Sequence, residues 1–470
     1  MLVRFLFALS AGLSLQLSSF TASAAGPDWK AGLATADITP PKPVVLLGYD
    51  GRNGPFTEVV SPIYAKALAF EDATGHRAVI VTADLVGFQG DVSEPMVKRI
   101  LEKAGLERSQ LMLNASHTHT APLVSLQPPT GGNFRAGMAP DDVKNTIEYT
   151  RMLHDKVVDM VARSIADLRP ARLAWSTGSV PFVMSRRLPV KERVVMRANP
   201  DAPVDHSVPV LRVTDADGKL RGVLFGCACH NVAQGLQNVI AGDYAGYAQA
   251  LLEEKHPGTT AMFLMGCGAD ANPEPYGKTE VAKKHGATLG EEVERVLGSS
   301  LAEVRGPLKT EFARSQLPLK KLARDEIQKI ADDKDDKQAY AESVMAWQML
   351  AVLDRRQSLL SPYTAPFAVW QFDGDLTLVA LPAEPVAEYV ALIQKALGAD
   401  KLWVAGYNND CFGYLPTDKV VREGGHEAIG VTLFSWDEKL FGNVGFFAPG
   451  VQDVVLGTVR DLAAKAGRKP

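Results

Sequence analysis

The stretch LNASHTHTAP, residues 113–122, places His117 and His119 one residue apart at the end of an apolar run, in a chain with only nine histidines. On an extended chain alternate side chains share a face, so both imidazoles are expected to project the same way. Two ring nitrogens side by side suit a metal ion or a polarised carbonyl; the plainer alternative is a polar pair ending a strand. Other apolar runs turn polar just as abruptly. GVLFGCACHN ends near His230, AMFLMGCGADANP carries Asp270 and Asn272, and LTLVALPAE ends in Glu384. Two imidazoles and a carboxylate with one position open form a common catalytic zinc set. Taken singly, each residue has a duller role. His230 fits a satisfied core histidine, and Glu384 before Pro385 fits an acid at a helix N-terminus. Asp243 in IAGDYAG either caps its helix or orients a ligand histidine from behind.

These residues can cooperate only if the ends of distant strands meet. In open α/β sheets ligand sites lie where strands end and loops begin, which predicts one cleft for His117, His119, His230, Asp270, Asn272 and Glu384. The segment AKALAFEDATGHRAVIVTADLVGF reads as two strands joined by a Thr-Gly turn, and VPVLRVTDADGKLRGVLFGCACH as a hairpin turning at Asp217-Gly218. A third hairpin, FAVWQFDGDLTLVALP, precedes the helix EPVAEYVALIQKALG and the strand KLWVAGYN. DVSEPMVKRILEKAGL and DYAGYAQALLEEKHPG read as helices, as does the segment from Pro140, where Val143, Ile147, Val157, Val161, Ile165 and Leu168 recur at helical spacing. Hairpins interleaved with βα units predict an α/β chain with mixed β-sheets flanked by helices. Residues 322–357 read as a charged helical segment, including DDKDDK from Asp332, and as a solvated junction without chemistry.

A chain of 470 residues suffices for one large core with insertions or for two or three domains. Its 46% hydrophobic and 22% charged content is ordinary for a globular protein, and a net charge of -4 argues against nucleic acid as a partner. Residues 1–25 read as a signal peptide: Arg4, an apolar run from Phe5, and Ala22-Ser23-Ala24 as a small-x-small cleavage site. Export to a periplasm or medium is therefore expected, with residues 26–470 as one unit. No later segment is apolar enough to span a bilayer. Export permits disulfides among Cys227, Cys229, Cys267 and Cys411, but buried free thiols in a large core are the favoured reading.

AGLATADITPP, NASHTHTAP, CACHNVAQ followed by IAGDYAGYA, LPAEP and GYNNDCFGYLPT stand in the order seen in the neutral (non-lysosomal) ceramidases. The chain resembles the catalytic domain of that family over nearly all of residues 26–470. The family comprises zinc amidohydrolases that cleave the amide of N-acyl-sphingosines into a fatty acid and an amino alcohol. The resemblance implies Zn²⁺ held by His117, His230, Glu384 and Tyr414, with His119 beside the metal and against the substrate carbonyl. It implies a substrate-binding arginine at Arg186 in MSRRL, with neighbouring Arg187 as the alternative. His426 stands where the family has a tyrosine that stabilises the reacting oxygen, and imidazole can also donate a hydrogen bond. The family signature Gly-Asp-Val-Ser-Pro-Asn reads ADANPE here, with Asn272 at the serine position. A serine nucleophile is thus unavailable there, whereas a zinc-activated water is unaffected. Because the sequence stops at Pro470, a catalytic domain without the family's C-terminal β-sandwich is expected.

The resemblance thus implies an exported zinc-dependent amidohydrolase acting on a small or lipid-like N-acyl substrate, N-acyl-sphingosine among them. Asp243 and Asp270 would support the ligands or the substrate. Two alternatives stay open: a zinc esterase or phosphoesterase, and an exported binding protein that has lost catalysis. The changes at Asn272 and His426 favour the last, and retention of all four ligand positions weighs against it. The sequence specifies neither the acyl chain nor the oligomeric state.

Overall fold

The computed structural model describes residues 28–49, 52, 54–128, 138–333, 340–356, 359, 362–432 and 444–468. The expected signal peptide and part of the DDKDDK run lie outside the described residues. The larger sheet runs in the order Thr260–Met265, Leu220–Cys227, Ser207–Asp215, Arg169–Ser179, Trp29–Asp37, Tyr64–Asp72, Arg77–Ala83, Leu111–Ala115, with Ala302–Val304 also on Arg169–Ser179. Its two outermost pairs are parallel and the others antiparallel. A smaller sheet pairs Leu308–Leu317, Tyr363–Phe372, Leu376–Ala380 and Leu402–Ala405, the last pair parallel. The expected mixed sheets flanked by helices are what the chain builds.

The alternation of side chains along the strands shows how the layers form. In Tyr64–Asp72, Ala65, Ala67 and Ala69 face the helices Gly90–Ala104 and Pro140–Ala166, while Leu68 and Phe70 face the smaller sheet. Val79, Val81, Leu111 and Leu113 repeat the first face, and Ile80 and Met112 the second. Strands buried on both faces read as continuous apolar runs, which is why these segments lack a polar alternation. Between the sheets Trp29, Phe70 and Phe372 meet with ring centroids 5.7 to 6.2 Å apart, and Trp370 is fully buried. Truncating such a ring to alanine costs about 3–5 kcal/mol. Helices Asp243–Lys255 and Thr279–Leu297 cover the other half of the larger sheet, and Glu388–Leu397 and Val451–Lys465 cover the smaller one. The result is four layers, helix, sheet, sheet and helix. No helix among the described residues is long and apolar enough to cross a membrane. All four cysteines are buried and free.

The two sheets are stitched at one edge. Isolated bridges join Gly266 to Ala405 and Asn114 to Asn408 across the sheets, and Thr118 to Asn231 between two strand ends of the larger sheet. Fully buried Asn114 serves both sheets: its Nδ2 donates to the carbonyl of Gly406 at 2.7 Å and to Asn408 Oδ1 at 3.1 Å, while its Oδ1 accepts from Met265 N–H at 2.9 Å. Every strand that ends in one of the candidate site residues ends at this edge. Two further features complete the site, a hairpin for which patterning supplies no expectation and the helices of the expected charged segment. The hairpin Val183–Val190/Arg193–Asn199 pairs with Ala271–Pro273, and the helices Arg324–Asp332 and Tyr340–Arg356 pack on one another around Ile327, Met345 and Met349.

Candidate metal centre and substrate cavity

His117 follows the strand Leu111–Ala115, but the pleat does not aim it. Its φ of 62° puts it in the left-handed region, which turns the ring back across the strand end. The expected convergence with His119 is present, with Nε2 atoms 3.1 Å apart, though its cause is a backbone kink rather than alternation. Ala383, Tyr407 and Asn409 share this conformation around the same edge. Such conformations cost of order 1–3 kcal/mol each for a residue with a side chain, and they persist where packing over-determines them.

The tautomers are set by the partners. His117 Nδ1 lies 2.6 Å from the carbonyl of Val86, and His230 Nδ1 lies 2.8 Å from that of Gly268. A carbonyl only accepts, so each Nδ1 carries the hydrogen and each Nε2 presents a bare lone pair. Both lone pairs meet the same oxygen: Glu384 Oε2 is 3.2 Å from His117 Nε2 and 3.4 Å from His230 Nε2. Glu384 Oε2 and His230 Nε2 are buried and accept no hydrogen bond. Two nitrogen lone pairs and a carboxylate oxygen pointed at one another repel unless a cation sits among them. The residues therefore fit a divalent metal. Burial works against a charge on Glu384, so its carboxylate calls for a positive partner among these groups. Burial, with Arg186 nearby, pushes His230 down to about 3, so it stays neutral.

The ligand atoms of His117, His119 and His230 lie within 4.8 Å of one another, as do those of His117, Glu384 and Cys411. From sequence Cys411 reads only as a core thiol, although it stands in GYNNDCFGYLPT three residues before Tyr414. Tyr414 reaches the site by parallel pairing of Glu384-Pro385 with Tyr414-Leu415, which sets the phenol beside the carboxylate. Burial pushes the Tyr414 phenol far up, and Arg186, whose Nη2 donates to its oxygen at 3.1 Å, works the other way.

Arg186 and Arg187 are told apart here. A β-bulge between Ser185 and Arg187 lets consecutive side chains lean to one side. Both meet fully buried Glu427, Arg186 Nε at 2.8 Å and Arg187 Nη1 at 2.7 Å. Only Arg186 continues inward, to Tyr414 and to Asn272 Oδ1 at 3.3 Å; Arg187 turns to Glu423 and the carbonyl of Gly424. Burial opposes ionisation of Glu427, but Arg186, His426 and Arg187 bring its pKa down to about 2. Sequence reasoning misses Glu427, which only its position next to His426 could have marked.

The two aspartates take supporting places. Asp270 Oδ1 accepts from Ala387 N–H at 2.7 Å, capping the helix that follows Glu384, and its carbonyl accepts from Arg186 N–H at 2.8 Å. Burial raises it to about 6. Asp243 opens its helix and accepts from the backbone of Gln234 and Tyr244. The ligand histidines are oriented instead by the carbonyls of Val86 and Gly268.

A cavity of about 340 Å³ rises from this centre. His117, His119, Glu384, Tyr414, Arg186, Asn272 and His426 line it, and Leu47, Val86, Val232, Ile429, Tyr49 and Met196 give it apolar walls. The His426 ring stands 5.1 Å from that of Tyr414. Val344 and Gln348, one helical turn apart on Tyr340–Arg356, also reach the cavity. The charged segment read as a junction without chemistry thus contributes to its wall. Its sequence conceals this, because the charges mark the solvent face and only packing shows where the other face lies.

Among known protein families, that of the neutral/alkaline non-lysosomal ceramidases, N-terminal part, matches residues 29–300. Among curated proteins, neutral ceramidase of Drosophila melanogaster is 25% identical over 248 residues, 51% of this chain and 34% of that protein. Neutral ceramidase B of Dictyostelium discoideum is 25% identical over 235 residues, 46% of this chain and 31% of its own. The matches therefore span about a third of the length of these curated relatives. The crystal structure of neutral ceramidase from Pseudomonas aeruginosa superposes with a TM-score of 0.67 at 19% identity, over 94% of this chain and 75% of that one. The fold is shared, and with the family match covering more than half of its length, the chain belongs to the neutral/alkaline non-lysosomal ceramidase family.

Proposed function

We propose that this chain is an exported zinc-dependent hydrolase of linear amide bonds, acting on an N-acyl, lipid-like substrate of the N-acyl-sphingosine type. The observation that carries the reading is the convergence of two bare imidazole nitrogens and an unpartnered carboxylate oxygen at the floor of an apolar-walled cavity. That its relatives are named neutral ceramidases supports an amide as the scissile group. Export rests on the signal-peptide pattern of residues 1–25, and residues 26–470 are taken as the catalytic unit.

His117, His230, Glu384 and Tyr414 would hold the ion, and zinc in such a set supplies Lewis acidity towards a carbonyl and towards water. The remaining steps belong to the chain. The apolar walls take the hydrocarbon and exclude water, which strengthens every polar contact at the floor. Burial, with His117 and His230 close by, depresses the His119 pKa well below the ordinary histidine value. A neutral imidazole can donate at one nitrogen and accept at the other, so His119 can take up the proton lost by the attacking water and pass one to the departing amine. Arg186, fixed by Glu427 and Asn272, and His426 across the cavity are placed to meet charge developing on the carbonyl oxygen. Losing one donor of this kind costs on the order of 10²–10³ in turnover.

The test compares a short-chain N-acyl-sphingosine with a matched ester and a matched phosphoester, with and without chelator, alongside elemental analysis for zinc. Amide turnover that chelator abolishes and zinc restores is expected. Turnover of the ester or phosphoester alone, or amide turnover indifferent to chelator, would overturn the proposal.

A further inference from the structure

Among the described residues that line the cavity, three carry a buried side-chain atom with no hydrogen-bond partner: Glu384 Oε2, His119 Nδ1 and Gln89 Oε1. The first belongs to the metal position and the second to the imidazole beside it. Gln89 has no part in either. It precedes the helix Gly90–Ala104, and its carbonyl accepts from Val92 and Ser93 N–H at 3.0 and 2.8 Å, yet its side chain makes no capping bond. The residue is only 8% exposed. A buried amide oxygen left without a donor costs free energy, and a site that keeps one has a use for it.

Its surroundings place it on the wall next to the metal position. Val86, three residues earlier, holds His117 Nδ1, and the carbonyl of Phe88 accepts from Cys411 N–H at 2.7 Å. A half-turn of the terminal torsion exchanges the oxygen and nitrogen of a carboxamide, so Gln89 can offer an acceptor or a donor to the cavity. A hydroxyl, which donates and accepts, suits it either way, whereas a hydrocarbon chain leaves it unsatisfied. We propose that Gln89 is a specificity-determining residue whose carboxamide binds a hydroxyl on the amine half of the substrate, close to the scissile bond. The inference rests on the N-acyl reading and adds the residue that distinguishes a hydroxylated amine from a plain alkylamine. A site built to pair a substrate hydroxyl rejects the analogue that lacks it far better than an apolar wall rejects an extra one.

The test uses zinc-loaded protein and three probes: a short-chain N-acyl-sphingosine and its counterparts lacking the primary or the secondary hydroxyl. Affinity is read by calorimetry, and kcat/KM separately. In the unaltered protein, deleting one of the two hydroxyls should weaken affinity and kcat/KM about tenfold or more, the value of one good hydrogen bond. In Gln89→Met, which keeps length without polar atoms, the same deletion should cost less than about twofold, with zinc content unchanged. Gln89→Glu retains an acceptor and should recover part of the discrimination; it also serves if Gln89→Met folds poorly. Discrimination that persists in Gln89→Met, an unaltered protein indifferent to both hydroxyls, or failure of all three probes to bind would overturn the inference. If the probes bind and are discriminated but none is hydrolysed, the amidase reading fails while the role of Gln89 stands on affinity alone.

Discussion

Gly48→Ala probes how His119 is positioned without touching a ligand. Gly48 has φ +108°, and a Cβ built on it would lie 2.5 Å from His119 Cγ, 2.7 Å from Nδ1 and 2.9 Å from Cβ. Carbon contacts settle near 3.5–4.0 Å, so the ring would have to retreat by about 1 Å. It has little room to do so, because the Tyr49 ring stands edge-on to it at 4.9 Å and His117 lies beyond at 4.7 Å. A displacement of about 1 Å at a reacting group costs on the order of 10²-fold. An L-residue at this φ adds about 1–3 kcal/mol of strain. The three nearest atoms all belong to His119 and none to His117, His230 or Glu384. The expected result is kcat for amide hydrolysis reduced about 100-fold, with zinc content kept and the melting temperature modestly lower. An alanine variant with normal kcat would show that His119 does not act on the reacting groups. Loss of zinc in step with loss of turnover would make His119 a ligand instead.

His117→Ala should lose zinc and activity together, whereas His119→Ala should retain zinc and lose turnover; elemental analysis beside the assay separates the two. Glu427→Leu leaves Arg186 and Arg187 buried without their shared carboxylate and should destabilise the fold by about 3–5 kcal/mol in urea titration. With a folded pKa of about 2 against roughly 4.3 unfolded, Glu427 contributes stability above pH ~4.5 that is lost as pH falls towards 2. Urea midpoints of the unaltered protein should fall over that window, and less steeply in Glu427→Gln. Asp410 has the opposite sign. Burial, partly offset by the hydroxyl of Tyr363 at 2.7 Å, raises it to about 7, so the folded state binds its proton more tightly than the unfolded chain does. Its stabilisation is full below pH ~4 and lost as pH rises towards 7, and Asp410→Asn should flatten that slope; an unchanged slope would refute the assignment.

Much of the site was legible because chemistry and strand ends coincide. His117, His119, His230, Asn272 and Glu384 each follow an apolar run, and an apolar run that stops at a polar residue is a local signal. Tyr414, Arg186 and His426 carry no such signal and entered through family resemblance; the structure brings them to the same cavity. Arg186 could not be separated from Arg187 in the sequence, since the bulge that leans both towards Glu427 depends on pairing with Arg193–Asn199. Glu427, Cys411, Gln89 and the inner face of Tyr340–Arg356 escaped notice for a related reason: each matters through contacts with residues far away along the chain.

By itself the sequence determined the periodic part of the protein: hairpins, amphipathic helices, and strands apolar enough to be buried on both faces. These depend on neighbours within a few residues, where side-chain spacing is set by backbone geometry. Only the tertiary structure decided which strand ends would share an edge, that His117 would turn in through a left-handed backbone, and that two lone pairs and a carboxylate oxygen would be held face to face. Opposed groups of that kind repel, so no local preference assembles them. They are held there by two sheets and their helices, whose packing outweighs the repulsion.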